Sequence, residues 1–354
     1  MPASYFITGG AGFIGSNLVR HLLAADPDAR VTVYDRLTYA GSRENLADVT
    51  SSPRYRLIEG DVCDREPLRD ALVGARPTVV FHLAAESHVD RSVDSPGEFV
   101  RTNVTGTFEM LEAIRAWIAR APSPSDFRLV HVSTDEVYGS IEPGCRAVET
   151  SAFAPSSPYA ASKAAGDHLA HAYFRTYGLP IVTTRSSNNY GPYQFPEKLI
   201  PLLVLNALEG KPLPVYGDGR HARDWIHVGD HCRALRLAAE RGVPGEAYNV
   251  GAGEERTTLD VAYAVCDRLG EIAPRAGGSH RELVGLVPDR PGHDRRYALD
   301  STKAARELGW HPETRFDDGM RATVRWYLEH RAWCDRITSQ VYQRQRLGLP
   351  SAPR

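Results

Sequence analysis

Apolar and polar positions alternate in blocks along the first half of the chain. Short runs rich in β-branched, aromatic and leucine side chains stand at 5–8, 31–34, 55–58, 78–81, 128–132 and 180–184. Runs of this length bounded by turn residues predict strands buried on both faces. Segments with helical spacing fall between them, at 13–25 and, as the longest, around 97–120. Alternation of strand and helix implies βαβ crossovers, which build a doubly wound parallel sheet covered on both sides. From about Asn189 the rhythm weakens and turn residues become denser, as in Tyr216-Gly217-Asp218-Gly219 and Pro288-Asp289-Arg290-Pro291-Gly292. Helical patterns persist at 199–208, 230–241 and 259–269. The expected organisation is a first domain over 1–188 with returning segments at about 222–250. A smaller mixed α/β ligand lobe follows, mainly over 189–340, and then a loosely held polar tail over 341–354.

Composition narrows the classes of partner. The 354 residues carry 42 basic and 44 acidic side chains, a formal charge of −2. That balance argues against a broad nucleic-acid surface. No apolar stretch approaches the roughly 20 residues of a membrane span, and Met1 to Ser4 lead into a strand pattern without signal-peptide character. Five scattered cysteines without a C-x-x-C pair suggest reduced thiols in a cytoplasm, with neither a disulfide framework nor a metal site. His221 and His227 read as loop and packing residues. Only four basic residues are lysines: Lys163, Lys198, Lys211 and Lys303.

The first strand runs into Thr8-Gly9-Gly10-Ala11-Gly12-Phe13-Ile14-Gly15. Glycines at 9, 12 and 15 suit a tight turn, a side-chain-free approach for pyrophosphate and close helix–sheet contact. The helix that begins here directs its N–H groups and dipole at phosphate. The second strand ends at Asp35, the expected distance for a carboxylate on an adenosine ribose. This predicts a Rossmann-type dinucleotide site. Asp35 favours NAD because its charge repels a 2′-phosphate, although Arg36 beside it is able to accept one.

Tyr159 and Lys163 lie four residues apart on a helical segment, hence on one face. An ammonium there favours the phenolate and equips the tyrosine as a base. In isolation the pair is common by chance and reads better as a solvated helix face. Together with the glycine loop it resembles the extended short-chain dehydrogenase/reductase superfamily, in its sugar-nucleotide branch. The fifth strand ends in Thr134-Asp135-Glu136, which is either a capping turn or an added acid and base of the kind that eliminating water requires.

That cluster makes the chain similar to the nucleotide-hexose 4,6-dehydratases, and the segments 82–92, 187–201, 216–228 and 289–297 point to those acting on dTDP-glucose. The resemblance implies NAD, tightly bound and regenerated each turnover, contacted by Gly9, Gly12, Phe13, Ile14, Gly15, Asp35, Arg36, Leu37, Thr38, Asp61, Val62, Leu83, Ala84, Ala85, Thr102, Tyr159, Lys163 and Asn189. It implies C4 oxidation with Tyr159 as base, Lys163 as its support and Thr134 on the C4 oxygen. Glu136 then takes the C5 proton and protonated Asp135 releases the C6 hydroxyl as water. Hydride return gives a 4-keto-6-deoxy sugar nucleotide.

For dTDP-glucose or a related sugar nucleotide, the resemblance implies contacts at Ser87, Thr134, Asn188, Lys198, Leu199, Pro214, Val215, Tyr216, Arg223, Asn249, Asp289, Arg290 and His293. Arg223 reads otherwise as an ion-pair partner of Asp224 or Asp218. The 139–159 stretch is short for the family. The family also implies a homodimer, with the 97–120 run and the tyrosine–lysine helix as interface surfaces. The alternatives are another nucleotide-hexose dehydratase such as one for GDP-mannose, a UDP-sugar epimerase or decarboxylase lacking the Asp-Glu pair, and an idle NAD-binding sensor.

Overall fold

The apolar runs of the first half become strands of one sheet in a computed structural model, which describes residues 3–120 and 127–341. In chain order the elements are β1 (Ser4–Thr8), α1 (Phe13–Ala25), β2 (Arg30–Asp35), β3 (Tyr55–Glu59), α2 (Arg65–Ala75), β4 (Val79–His82), α3 (Val89–Asp94), α4 (Pro96–Phe99), α5 (Gly106–Ile118), β5 (Arg128–Thr134), α6 (Pro158–Tyr177) and β6 (Ile181–Ser186). The remainder comprises β7 (Asn188–Tyr190), α7 (Leu199–Leu208), β8 (Leu213–Tyr216), β9 (Ala222–His227), α8 (Val228–Arg241), β10 (Ala247–Val250), β11 (Glu255–Thr257), α9 (Thr258–Ile272), β12 (Val284–Val287), α10 (Phe316–Glu329) and α11 (Arg331–Val341).

Seven strands pair in the order β10-β6-β5-β4-β1-β2-β3, and every neighbouring pair is parallel. The chain leaves β1 toward β2 and β3, then returns to set β4 on the other side of β1. That reversal opens a crevice beyond the carboxyl ends of β1 and β4, the usual ligand position in such sheets. One face of the sheet is covered by α1 and α8, with Leu18, Leu22, Leu235 and Ala238 packed on Val31 and Val33. The other face is covered by α2, α5 and α6, with Leu68, Leu72, Met110 and Ile114 packed on Phe6, Val80 and Leu129. α8 and β10, from the second half of the chain, therefore belong to the sheet layer.

A second core holds Leu203, Val204, Val265, Leu269, Val324 and Tyr327, from α7, α9 and α10. Two short sheets join it, of order β11-β9-β7 and β12-β8. The long 97–120 run is helical over most of its length but divided: α4 passes through a wide π turn at Val100–Thr105 into α5. The helices α10 and α11 were not among the expected elements, although Phe316, Met320, Val324 and Tyr327 recur on one helical face and are all buried. The expected tail falls almost wholly outside the described residues. Among the described residues, no helix is long and apolar enough to cross a membrane.

Candidate active site

The glycine loop begins the site. Gly9 adopts φ +69, and a Cβ there would meet the Ala84 backbone N at 2.7 Å. At Gly15 a Cβ would strike the Gly9 carbonyl O at 2.2 Å. Glycine at these positions brings β1, α1 and the strand end at Ala84 together. The N-cap of α1 is Gly12, which has no side chain to cap the helix, so its first amides are left for an anion. At the end of β2, Asp35 accepts from the Ala11 N–H and the Leu37 N–H, each at 2.8 Å. Burial pushes its carboxyl up and these two amides oppose the shift.

Every residue expected at the cofactor lines this single cleft except Leu37. Leu37 takes φ 55 in the turn after β2, and its side chain packs on the core beneath the sheet, so only its amide serves the site. The cleft also holds Ser133 Oγ, Ser187 Oγ and Asn188 Oδ1, buried polar atoms with no protein partner. Unpaired buried polar atoms are costly, and here they face a cleft that suits a polar ligand. The cradle, the carboxylate and these atoms fit a dinucleotide.

The chemistry sits where β5 ends. Thr134 caps a single 3-10 turn over Asp135–Tyr138 by accepting from the Glu136 N–H at 3.3 Å. The capping-turn reading is therefore correct as geometry, and it aims Asp135 and Glu136 into the cleft. Thr134 Oγ1 donates to Asp135 Oδ1 at 3.3 Å, while Asp135 Oδ2 is buried without a partner. Opposite stands α6, opened by Pro158 and capped by Ser157, whose Oγ accepts from the Ala160 N–H. Its first turns present Tyr159 and Lys163 to the cleft.

The balance at Tyr159 runs upward: burial and the Glu136 carboxylate raise the phenol, and a bond to Thr134 only partly opposes them. Lys163 donates to the Val132 carbonyl at 2.7 Å. Burial pushes its ammonium down to about 8, with Asp167 acting the other way. The lysine is thus fixed by the strand end, one helical turn along α6 from the tyrosine.

Among the expected substrate residues, Ser87, Asn188 and Lys198 line the cleft, as does Thr134. Lys198 Nζ donates to the Ser87 carbonyl at 2.7 Å. Leu199, Pro214, Val215, Tyr216, Arg223, Asn249, Asp289, Arg290 and His293 do not line it. Leu199 packs on the second core. β8 alternates, so Leu213 and Val215 are buried in that core while Pro214 and Tyr216 face away from it. Asn249 is fully buried: Tyr138 Oη donates to its Oδ1 at 2.8 Å and its Nδ2 donates to the Ala147 carbonyl at 2.9 Å. It braces the short 139–159 segment, which also pairs Ala147 with Leu299.

Arg223 is buried, donates to the Asp294 carbonyl at 2.8 Å and lies 4.2 Å from the centre of the Tyr297 ring. The ion-pair alternative fails, because Asp218 is held by Arg295 and Asp224 accepts from the Glu254 amide. Arg223, Arg290 and Lys198 all act on Glu136 and oppose the rise that burial imposes. His221 and His293 stack with ring centres 3.8 Å apart and planes 11° apart, and Asp289 bridges both. Stacked face to face, the two rings hold their in-plane lone pairs in separate planes, which makes this grouping a poor metal cage.

Sequence reasoning missed Glu86, Ser133, Ser187, Gln194, Phe195 and Glu197 in the cleft wall. All but Ser133 lie inside the motif segments 82–92 and 187–201, and Ser133 directly precedes Thr134.

The dinucleotide cleft with tyrosine and lysine on α6 defines an enzyme of the short-chain dehydrogenase/reductase class. Two carboxyls on the β5 turn, Asp135 and Glu136, stand in the same cleft. Residues 6–323 match the family described as GDP-mannose 4,6 dehydratase, and the chain belongs to that family. It is 52% identical over 348 residues to the dTDP-glucose 4,6-dehydratase of Neisseria meningitidis serogroup B, covering 97% of this chain and 98% of that protein. It is 51% identical to the dTDP-glucose 4,6-dehydratase 1 of Escherichia coli K12, covering 95% and 96%. Among solved structures it is similar to DesIV, the dTDP-glucose 4,6-dehydratase of Streptomyces venezuelae with NAD bound. The TM-score is 0.86 at 48% identity, covering 94% of this chain and 99% of that one.

Proposed function

We propose that this chain converts dTDP-glucose to dTDP-4-keto-6-deoxyglucose and water, using NAD that is regenerated in each turnover. The observation that carries the reading is the pair of carboxyls beside Thr134, Tyr159 and Lys163 in one dinucleotide cleft. Relatives at about half identity over nearly the full chain bear the name of this activity. For the cofactor, Asp35 stands at the cleft while the Arg36 guanidinium is drawn to Asp61 at 3.4 Å. That arrangement favours a free 2′-hydroxyl over a 2′-phosphate.

Bound NAD supplies a hydride acceptor for C4, returns the hydride at C6 and brings positive charge to the site. Tyr159 receives the C4 hydroxyl proton, with Thr134 bonded to the same oxygen. Lys163 supports the tyrosine from the Val132 carbonyl. The C4 ketone acidifies C5, and Glu136 removes that proton. Asp135 protonates the C6 hydroxyl, which leaves as water, and C5 is reprotonated. Burial and the Glu136 charge raise the Asp135 carboxyl well above the usual range, which suits an acid. Arg290, Arg223 and Lys198 temper the rise at Glu136, which suits a base.

In this reading residues 1–188 with the returning 222–250 segment hold NAD, and the rest, mainly 189–340, holds the sugar nucleotide. The protein works in the cytoplasm as a homodimer joined through the 97–120 run and α6, where Val100 and Tyr177 are exposed apolar side chains. Light scattering at the mass of one chain would refute the dimer. The deciding experiment uses dTDP-glucose deuterated at C4. The label is expected at C6 of the product, and its loss to solvent would overturn the internal redox cycle.

A further inference from the structure

Of the motif segment that ends at Ser92, Leu83 to Ser87 line the cleft. Its remainder forms α3, and the two charged residues at the start of that helix tie separate parts of the molecule together. Asp90 accepts from Tyr216 Oη at 3.0 Å and from Arg290 at 2.5 Å, which anchors α3 on the ligand lobe. Arg91 turns toward the cofactor side. Its Nε donates to Glu197 Oε2 at 3.0 Å, and the Glu197 side chain is only 1% exposed. The same guanidinium lies 3.9 Å from the centre of the Tyr39 ring. The Tyr39 ring meets Phe195 edge-on at 5.5 Å.

Tyr39 belongs to the loop after β2. Its neighbours Thr38 and Ala40 line the dinucleotide cleft, whereas the Tyr39 ring packs on the second core. A loop that lines the dinucleotide cleft is thus tied to the other lobe by one side chain. A cation over an aromatic face and a buried carboxylate is a directional attachment.

We propose that Arg91 is a positioning residue whose grip on Tyr39 and Glu197 closes the 36–41 loop over the dinucleotide and sets how long the cofactor stays bound. The proposal rests on NAD being the cofactor. It gives that cofactor's retention a structural cause outside the residues that touch it. Opening the cleft requires Tyr39 to leave Arg91 and Phe195 together.

The test measures bound nucleotide, separately from turnover. Purified protein is denatured to count NAD per chain, and exchange of bound NAD with isotopically labelled NAD is followed in the folded protein. Arg91→Met is expected to hold less NAD and to exchange it at least tenfold faster than the parent, with kcat restored at saturating NAD. Arg91→Lys, which keeps charge but not the flat guanidinium, is expected to fall between. An unchanged exchange rate in Arg91→Met would overturn the latch, as would a kcat that saturating NAD does not restore. Should Arg91→Met fail to fold, Tyr39→Leu carries the same expectation from the facing side, and parental exchange there would overturn the proposal equally. Parent protein that carries no nicotinamide dinucleotide and takes none up would instead refute the cofactor reading itself.

Discussion

Asp135 and Glu136 are consecutive, both desolvated, and unequally surrounded. Three cations act on Glu136, from Arg290, Arg223 and Lys198. Asp135 feels Arg223, but is pushed further up by Glu136 and Asp224, and one of its oxygens has no partner. Both carboxyls are thus pushed up, Asp135 further than Glu136, because of what packs on each side.

Asp135→Asn keeps the shape and removes the transferable proton. The variant is expected to reduce its bound cofactor on mixing with substrate and then stall. Product formation should fall by roughly 10²–10⁴, the usual worth of a general acid. Stopped-flow absorbance of the reduced nicotinamide and a keto-product assay check this. Turnover at the parental rate would remove Asp135 from the acid role.

Tyr159→Phe should stall earlier. The Tyr159 ring sits edge-on to Phe99 at 6.3 Å and is almost wholly buried, so phenylalanine fits the space. The variant should keep its fold and its NAD, yet show neither cofactor reduction nor product, with a loss again of about 10²–10⁴. The contrast with Asp135→Asn orders the two residues along the reaction. Normal cofactor reduction in Tyr159→Phe would assign the first proton to another group.

Gly15→Ala probes the cradle by steric means alone. A Cβ would lie 2.2 Å from the Gly9 carbonyl and 2.6 Å from Gly10 Cα, both backbone atoms in the loop. The loop must shift, at about 1–3 kcal/mol of stability, and the expected result is a lower NAD content per chain with a reduced thermal midpoint. Full NAD occupancy in this variant would show that the loop has slack.

Much of this arrangement was legible in the sequence because the relevant interactions are local. A strand buried on both faces must be apolar throughout, so β1, β2 and β5 announce themselves. The glycine loop and the Tyr159–Lys163 spacing are fixed by turn sterics and helical geometry. What was not legible depends on contacts across long separations. β7 and β11 have three residues each, too few for a period, and they exist because β9 pairs with both. Asn249 carries a motif-like position, but strand pairing of β10 beside β6 turns its side chain onto Tyr138. The bond from Arg91 to Glu197 spans 106 residues of sequence, and no local pattern reports it.

Asp167 supplies a test in which pH carries the signal. It lies one helical turn beyond Lys163 on α6, buried, accepting from Arg185 Nε at 2.8 Å and paired with His131 Nε2 at 3.2 Å. Despite burial, the bonds from His131 and Arg185 and their charges hold its carboxyl down at about 2, against 3.8 for a free aspartate. A carboxyl whose folded value is depressed contributes stability that is full above the unfolded value and is lost as pH falls through the folded one. The contribution is roughly 2 kcal/mol, present at neutral pH and fading between about pH 4 and 2. Asp167→Asn also leaves the Arg185 charge without its carboxylate, so the variant should be less stable than the parent by at least that amount at pH 7. Denaturant titrations of both proteins at a series of pH values cancel the other carboxyls. The gap between them should narrow below pH 4; a gap constant from pH 7 to pH 2 would mean that folding does not shift the Asp167 carboxyl, and one that widens as pH falls would mean that the fold holds it neutral.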